Sequence, residues 1–408
     1  MADMTLSGVS ILGGFTMTLP PSVPGAPTIG TATATGVTTA TVTFTAPVNN
    51  GGATITSYTA TSSPAGGTGT LNQAGSGTIN VTGLTGSTSY TFTVTATNAI
   101  GTSSPSASSN SITTDSGIPV RKAIVGYGTI SYPTMTAITN LVSNTGVVAN
   151  DVTGVGTARG TLAASGYGTD KAIFGYGFDG TSRLSITNLV SNTGVVGNDV
   201  TGVGTARNWL AAAGYGTDKA IFGYGYSGGS LAITNLVSNT GVVANDTSGV
   251  GTARYGLAAA GYGSSGEAIF GYGLTNLTVS MTNLVSNTGV VATDTAGVGT
   301  ARYGLAIAGY GTDKAVFGYG FNSSNNPVSM TNLVSNTGVV ANDTSGVGTA
   351  RYGLAAAGYG TDKAIFGYGD GGGVTSLTNL VTNTGVVGTD VTGVGTARYT
   401  LAAASYGT

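Results

Sequence analysis

Two patterns of apolar residues divide this chain. Between about residues 21 and 115, short segments alternate polar and apolar residues, as in residues 39–45 and 90–96. Such alternation predicts antiparallel strands with one buried face. Turn residues such as those at 49–52 separate the segments, and about seven strands fit into this stretch, which is typical of an immunoglobulin-like sandwich. This part of the chain is therefore predicted to be a two-sheet β-sandwich.

The second pattern is a unit that occurs six times after residue 121. The units start at Lys122, Lys171, Lys219, Glu267, Lys314 and Lys363, at intervals of 47 to 49 residues. Each has two continuously apolar runs around a tight turn, which predicts a hairpin buried on both faces. In the fourth unit a third strand is predicted at residues 281–287 and a fourth near 289–292. This period is typical of β-propeller blades, and the glycine density excludes helical repeats.

The first and last units are complementary. The first unit lacks the strand that begins with Arg in the other units, and the chain ends in an extra copy of it at residues 398–406. Pairing this copy with the first unit would remove two exposed strand edges, which otherwise promote aggregation. We therefore predict an all-β chain, in which a sandwich is followed by a six-bladed β-propeller at residues 121–408, closed by its C-terminal strand.

Residues 21–115 resemble a fibronectin type III domain of the bacterial and phage kind. The resemblance rests on Ala46-Pro47 and on the runs at residues 51–58, 81–84 and 90–98. Tyr90, six residues after Leu84, matches the tyrosine-corner position of that family, and Phe44 stands where these domains usually have a Trp. The resemblance implies an immunoglobulin-like sandwich that acts as a spacer or a weak surface binder.

The six units resemble kelch-type propellers. An Arg-initiated strand, a hairpin, a strand ending in glycines, a variable loop and an outer pair follow each other in the same order. The departures are a Gly-Tyr-Gly segment in place of a Gly-Gly doublet and the lack of a Trp that closes each unit. The Gly-Tyr-Gly tyrosines lie in the apolar hairpin, so we predict core packing for them; a platform for stacking sugars is the alternative.

Composition narrows the classes of function. The chain has no His and no Cys, which removes imidazole bases, thiol nucleophiles, disulfides and the usual zinc ligands. A net charge of −2 without a basic stripe argues against nucleic acid as a partner. The apolar stretch at residues 9–15 is too short to span a bilayer and lacks the features of a signal peptide. We expect no enzymatic activity, no cofactor, no metal and no membrane insertion.

Each repeat carries one Asp and one Arg, eight residues apart. Six symmetric copies serve architecture better than one active site, so we predict structural ion pairs that pin a loop of each blade; a charged ligand-binding ring is the alternative. The predicted pairs are Asp151 with Arg159, Asp199 with Arg207, Asp246 with Arg254, Asp294 with Arg302, Asp343 with Arg351 and Asp390 with Arg398.

Differences between the repeats indicate where recognition would occur. They concentrate in the loops after the first hairpin, which must emerge on one side of a propeller, and loops free of packing constraints often carry function. Trp209, the only Trp, replaces a Gly of the repeat. Neutral drift is the alternative explanation of this variation. The candidate binding residues are Tyr132, Phe178, Asp179, Arg183, Trp209, Tyr226, Phe321 and Asn322.

A sandwich followed by a propeller resembles the virion appendages of tailed bacteriophages, such as tail or head fibres and decoration proteins. The resemblance implies a virion location in several copies, contacts with other virion proteins through an attachment segment at residues 1–20, and recognition of a host-surface glycan or protein by the propeller. A bacterial surface adhesin is the main alternative. A glycan-processing enzyme is less favoured, because Asp179 and Asp370, the acids outside the repeat pattern of the propeller, lie two ring positions apart.

Overall fold

The chain divides into two compact units, Met1–Ile118 and Pro119–Thr408. The computed structural model describes residues 20–114 and 121–407, so the predicted attachment segment at residues 1–20 lies outside the described residues except for Pro20. Within the described ranges all regular secondary structure is β-strand. They include no helix with the length and apolar character needed to cross a membrane.

Residues 28–113 of the first unit form seven strands, the number predicted. They pair antiparallel in two sheets, of order β1-β2-β5 and β4-β3-β6-β7. The strands are β1 (Thr28–Ala34), β2 (Ala40–Thr45), β3 (Ile55–Ser63), β4 (Thr68–Leu71), β5 (Gly77–Val81), β6 (Ser89–Asn98) and β7 (Ile112–Thr113).

The alternation of apolar residues places one face of each long strand in a core between the two sheets. Along β6 every second residue is buried, as the sequence pattern predicts. Phe44, at the position usually held by Trp, is buried and packs on Tyr58 with ring centroids 4.2 Å apart. The hydroxyl of Tyr90 accepts a 3.0 Å hydrogen bond from the backbone N–H of Thr85, which is the bond expected of a tyrosine corner.

The second unit consists of six three-stranded antiparallel sheets and two short strand pairs among its described residues. The strands are β8 (Lys122–Gly126), β9 (Thr129–Ser131), β10 (Thr134–Met135), β11 (Thr139–Val142), β12 (Ala163–Tyr167), β13 (Lys171–Phe178), β14 (Arg183–Val190), β15 (Ala211–Tyr215), β16 (Lys219–Tyr226), β17 (Ser230–Val237), β18 (Ala258–Tyr262), β19 (Glu267–Leu274), β20 (Thr278–Val285), β21 (Arg302–Tyr303), β22 (Ala306–Tyr310), β23 (Lys314–Gly318), β24 (Phe321–Asn322), β25 (Thr331–Val334), β26 (Ala355–Tyr359), β27 (Lys363–Gly367), β28 (Thr378–Val381) and β29 (Ala402–Tyr406).

Each sheet has a first, a middle and a third strand. In order these are β29-β8-β11 in sheet 1, β12-β13-β14 in sheet 2, β15-β16-β17 in sheet 3, β18-β19-β20 in sheet 4, β22-β23-β25 in sheet 5 and β26-β27-β28 in sheet 6. Since the strands are antiparallel, every sheet has two distinct ends. The loop end carries the variable loop after the middle strand, and the turn end carries the hairpin turn and the Asn-Thr-Gly turn after the third strand.

The predicted fourth strand is not a regular strand. In sheet 4 the segment after β20 is joined to it only by isolated bridges, at Val285 to Val291 and at Thr282 to Thr295. A side chain replaces part of the backbone hydrogen-bond ladder here, since the amide of Asn283 donates to the carbonyl of Ala292 over 3.0 Å. The same bond recurs at the equivalent Asn of the other sheets, for example from Asn235 to Ala244.

The C-terminal strand completes the first sheet. β29 pairs with β8 from Ala402 opposite Gly126 to Tyr406 opposite Lys122. Each first strand packs beside the first strand of the next sheet, and β26 of sheet 6 packs beside β29 of sheet 1. Arg121, just before β8, exchanges two backbone hydrogen bonds of 2.7–2.8 Å with Gly360 at the turn end of sheet 6. Contacts between neighbouring sheets thus run in a cyclic order.

Neighbouring sheets approach closely because glycine occupies the middle strand where the next sheet's aromatic ring lies. A Cβ on Gly175 would lie 2.6 Å from the ring of Phe222, and Gly223 faces Phe270 in the same way at 2.7 Å. Ala and Tyr of the first strands complete the apolar clusters between sheets, such as the one containing Tyr215 and Phe270. Any larger residue at Gly175 would force the sheets apart.

The pairing of β29 with β8 yields a first prediction. Deleting residues 397–408 should expose the edge of β8 and the apolar surface of sheet 6, at a cost comparable with a typical domain's whole stability of about 5–15 kcal/mol. We expect aggregation or loss of the cooperative melting of the second unit in calorimetry. Deleting Thr408 alone is the control and should leave the transition in place. An unchanged melting transition in the longer truncation would contradict this role of β29.

Candidate functional site

A buried arginine lies at the centre of each repeat. Arg207 is fully buried, and its Nε donates to the carbonyl of Tyr224 over 2.9 Å. Its Nη2 donates to Oδ1 of Asn235 over 2.7 Å, and its Nη1 to the carbonyl of Thr205 over 3.2 Å. These bonds join the arginine to the middle and third strands of its own sheet, and the guanidinium is satisfied by neutral acceptors as well as by charge.

The same arginine also covers a tyrosine of the preceding sheet. Cζ of Arg207 lies 4.2 Å from the ring centroid of Tyr176, which is the tyrosine of the Gly-Tyr-Gly segment in sheet 2. The hydroxyl of Tyr176 donates to the carbonyl of Val203 over 3.1 Å. Burial raises the pKa of such tyrosines, and for Tyr127 and Tyr319 it raises the pKa to about 12. The prediction that these tyrosines pack in the core is confirmed, since all six are fully buried.

An aspartate completes the network, but not the one that the sequence suggested. Asp246 accepts from the N–H and the hydroxyl of Thr205 over 3.0 and 2.6 Å and from Asn235 over 2.9 Å. Its Oδ1 lies 3.9 Å from Nη1 of Arg207. Partial burial by itself would raise the pKa of Asp246, whereas the bonds from Thr205 and Asn235 and the charge of Arg207 lower it, and the net shift is downward.

The predicted pairing of residues eight apart is therefore wrong. The segment between the Asp and the Arg leads from one sheet to the next. The Asp therefore bonds to residues of the sheet before the segment, and the Arg bonds to residues of the sheet after it. Asp343 receives hydrogen bonds from Thr300 and Asn332, and Arg302 donates to Asn332 and to the carbonyl of Met330. The ion pairs that the repeat arginines form are Arg159 with Asp199, Arg207 with Asp246, Arg254 with Asp294, Arg351 with Asp390 and Arg398 with Asp151.

A ring of six backbone hydrogen bonds lies at the loop end. In each sheet, the second residue after the arginine donates its N–H to the carbonyl of the equivalent residue in the preceding sheet, over 2.6–2.8 Å. All six have left-handed φ angles of 53–63°. The members of this loop-end ring are Thr161, Trp209, Gly256, Gly304, Gly353 and Thr400.

Trp209 is thus part of the loop-end ring, where three equivalent residues are glycine. Its side chain is partly exposed and its φ is 54°. A left-handed φ costs an L-residue about 1–2 kcal/mol relative to the right-handed region. Thr161 and Thr400 carry the same strain, and Trp209 combines it with a partly exposed indole, which makes it a candidate for a role other than stability.

The structure brings several predicted binding residues to the loop end next to this ring. Phe178 and Tyr226 end the middle strands of sheets 2 and 3, where each is bridged to the residue just before a ring member. Tyr226 contacts Tyr255 with ring centroids 5.2 Å apart, and Cζ of Arg183 lies 4.9 Å above the Tyr226 ring. Arg183 also donates to Asn208 over 3.3 Å.

Other predicted residues hold their own loops. One carboxylate oxygen of Asp179 accepts the N–H groups of Thr181 and Ser182 over 2.8 and 2.7 Å. Asn322 accepts two loop N–H groups in the same way, from Ser324 and Asn326. Both are therefore turn-forming residues. Tyr132 lies in the turn between β9 and β10 and is 69% exposed.

Sequence reasoning missed four aromatic residues at the loop end. Each immediately follows the buried arginine of its repeat, and three of them contact predicted loop aromatics. Phe321, for instance, stacks on Tyr352 with centroids 3.9 Å apart. The signal was present, since this position also varies between repeats. The missed residues are Tyr255, Tyr303, Tyr352 and Tyr399, where the first repeats have Gly160 and Asn208.

Comparison with known proteins identifies one domain. The family model for the fibronectin type III domain matches residues 25–112, which covers the seven-stranded sandwich. A search of curated proteins finds no match to the chain. A fibronectin type III domain indicates a binding or structural role for the first unit. In the described part of the second unit, no cluster of acidic side chains has an arrangement suited to a metal ion.

The strain at Trp209 can be measured. Trp209→Gly should raise the free energy of unfolding by about 1 kcal/mol, because Gly adopts a left-handed φ without penalty. Gly256→Ala is the matched reverse change and should lower it by about 1 kcal/mol. A Cβ at Gly256 would meet its nearest atom at 3.5 Å, so this variant tests backbone strain and not a collision. Denaturant unfolding measures both. A destabilised Trp209→Gly variant would mean that the indole serves packing.

Proposed function

We propose that the second unit is a six-bladed β-propeller, with each three-stranded sheet as one blade and the C-terminal strand completing the first blade. Three observations support this architecture. β29 pairs with β8, the first strands contact each other in cyclic order, and six hydrogen bonds link the loop-end ring. A propeller of this kind leaves two faces, one at the loop end and one at the turn end.

The protein's proposed role is non-catalytic recognition by the loop end of the propeller, with the fibronectin type III domain as a spacer. The observation that carries this role is the uneven distribution of sequence differences. Buried Arg, Asn, Asp and Tyr recur in every repeat, whereas residues at the loop end change from blade to blade. Variation among side chains that share a scaffold is how a repeat protein acquires one specific surface.

The most suitable setting for this role is the virion of a tailed bacteriophage, as a tail or head fibre or decoration protein. The support is the resemblance of the sandwich to phage-type fibronectin domains, together with a propeller that offers a recognition face. Contacts with other virion proteins through the N-terminal segment, and a host-surface glycan or protein as target, belong to the same proposal. The argument for this setting is analogy of architecture.

Mass spectrometry of purified phage particles from the source tests the virion location. We expect peptides of this chain in amounts comparable with other minor structural proteins. Trypsin samples only the second unit well, because Arg121 is the first basic residue of the chain, so chymotrypsin is needed for the sandwich. Recovery of the chain in bacterial envelopes and its absence from particles would favour the adhesin alternative instead.

The recognition face is tested with two matched triple variants. Replacing Phe178, Tyr226 and Phe321 by Ser removes loop-end aromatics from sheets 2, 3 and 5. The control replaces Val195, Val242 and Val339 by Ser, at the turn end of the same three sheets, where they are 65–66% exposed. The labelled full chain is titrated onto intact bacterial cells. We expect binding to weaken about tenfold or more in the first variant only. Equal binding by both variants would exclude the loop end as the recognition face.

A further inference from the structure

Four aromatic side chains form a continuous row across sheets 5, 6 and 1. Tyr303 and Phe321 have ring centroids 5.4 Å apart, and Phe321 and Tyr352 stack at 3.9 Å with 25° between their planes. Tyr352 and Tyr399 follow at 5.9 Å, edge to face. All four are only partly buried. This aromatic row is held by neighbouring backbone, because Tyr303 pairs with Phe321 in the short β21-β24 ladder.

A carboxylate adjoins the aromatic row. Asp370 exchanges two backbone hydrogen bonds of 2.9 Å with Tyr352, which fixes it beside that ring. Burial is the main cause that raises the pKa of Tyr352 to about 12, and the charge of Asp370 adds to it. Burial and then the charge of Asp370 likewise raise the pKa of Tyr399. One carboxylate oxygen accepts the N–H of Gly372 over 2.9 Å. A carboxylate has about four acceptor sites, so capacity for a ligand hydroxyl remains.

The loop of sheet 6 leaves this place open. Three glycines follow Asp370 before Val374, and a Cβ added to Gly372 or Gly373 would meet no atom within 4 Å. Loops at the same position in sheets 2 and 5 carry side chains, such as Arg183 and those of residues 322–326, whereas Gly228 and Gly229 leave the sheet 3 loop open as well but away from the aromatic row. The loop end therefore has one place where the aromatic row, the carboxylate of Asp370 and open space beside Gly372 and Gly373 occur together.

We propose that the aromatic row and Asp370 form a binding site for a neutral saccharide. This inference rests on the proposed function and names the ligand class of the same face. A pyranose ring presents C–H groups that pack on aromatic faces, and its hydroxyls donate to a carboxylate, which makes a charge-assisted hydrogen bond. The negative charge of Asp370 disfavours acidic sugars, since like charges brought together at an interface are repulsive.

The test uses the full chain and immobilised oligosaccharides ending in glucose, galactose, mannose or N-acetylglucosamine, with sialic-acid-ended oligosaccharides as the charged comparison. Gly373→Gln places a side chain in the open approach and should weaken binding about tenfold or more. Gly229→Gln is the matched control, because Gly229 lies in the loop of sheet 3 and also meets nothing within 4 Å. Phe321→Ala should weaken binding similarly, whereas Val339→Ser, at the turn end of the same sheet, should not.

Each outcome separates the two proposals. Binding of a neutral oligosaccharide that Gly373→Gln and Phe321→Ala both weaken, with unchanged controls, supports the site. Neutral-saccharide binding that is unaffected by these variants, or equally affected by the controls, overturns it. If no neutral oligosaccharide binds while the loop-end triple variant still loses cell binding, the ligand class is wrong and the recognition face stands. Melting temperatures of all four variants exclude loss of fold as the cause.

Discussion

The architecture of the second unit depends on a guanidinium group that is removed from water and bonded in several directions. Arg207 binds the middle and third strands of its own sheet and lies over a tyrosine of the preceding one. A buried charge without partners would cost several kcal/mol, so the arginine enforces the position of everything that satisfies it. The side-chain amide of Asn235 accepts from Arg207 through its oxygen and donates to Asp246 through its nitrogen, so both side chains are held in place in turn. Five of the six sheets repeat this arrangement with an ion pair, and in sheet 5 Arg302 bonds Asn332 and the carbonyl of Met330.

This arrangement explains why one end of the sheets can vary. The buried network and the apolar clusters between sheets supply the stability, and they use residues that recur in every repeat. The loop-end ring uses backbone groups alone, so it accepts Gly, Thr or Trp at its positions. Side chains beyond the loop-end ring consequently take no part in the buried network in most sheets. An aromatic row on one side and Gly160 with Asn208 on the other make the loop end chemically asymmetric although its backbone is repetitive.

Most of the strands and the number of repeated sheets could be predicted from the sequence, because a repeated pattern can be recognised without knowledge of the fold. The seven strands of the sandwich and the tyrosine corner at Tyr90 follow from alternation and spacing. The pairing of Asp with Arg could not be predicted, since proximity in sequence misleads where a segment crosses between sheets. The prediction of a fourth strand was wrong because the side chain of Asn283 donates to the carbonyl of Ala292, which a regular strand would use for backbone pairing. The exposed position of Tyr352 and its equivalents was not predicted, because these residues stand at the start of an apolar run that indicates a buried strand.

The late position of β29 has a consequence for synthesis on the ribosome. β8 is among the first strands of the second unit to emerge, yet its partner lies at the opposite end of the chain. At about 5–20 residues per second, the edge of β8 waits on the order of tens of seconds for that partner. During this time the first strands of other repeats, which are nearly the same in sequence, compete for it. One feature discriminates, because β29 has Ser405 where the other first strands have Gly, and its hydroxyl donates to the carbonyl of Gly358 in sheet 6 over 2.7 Å. The competing strands cannot make this bond, so the fidelity of β8 pairing depends on one exception to the repeat.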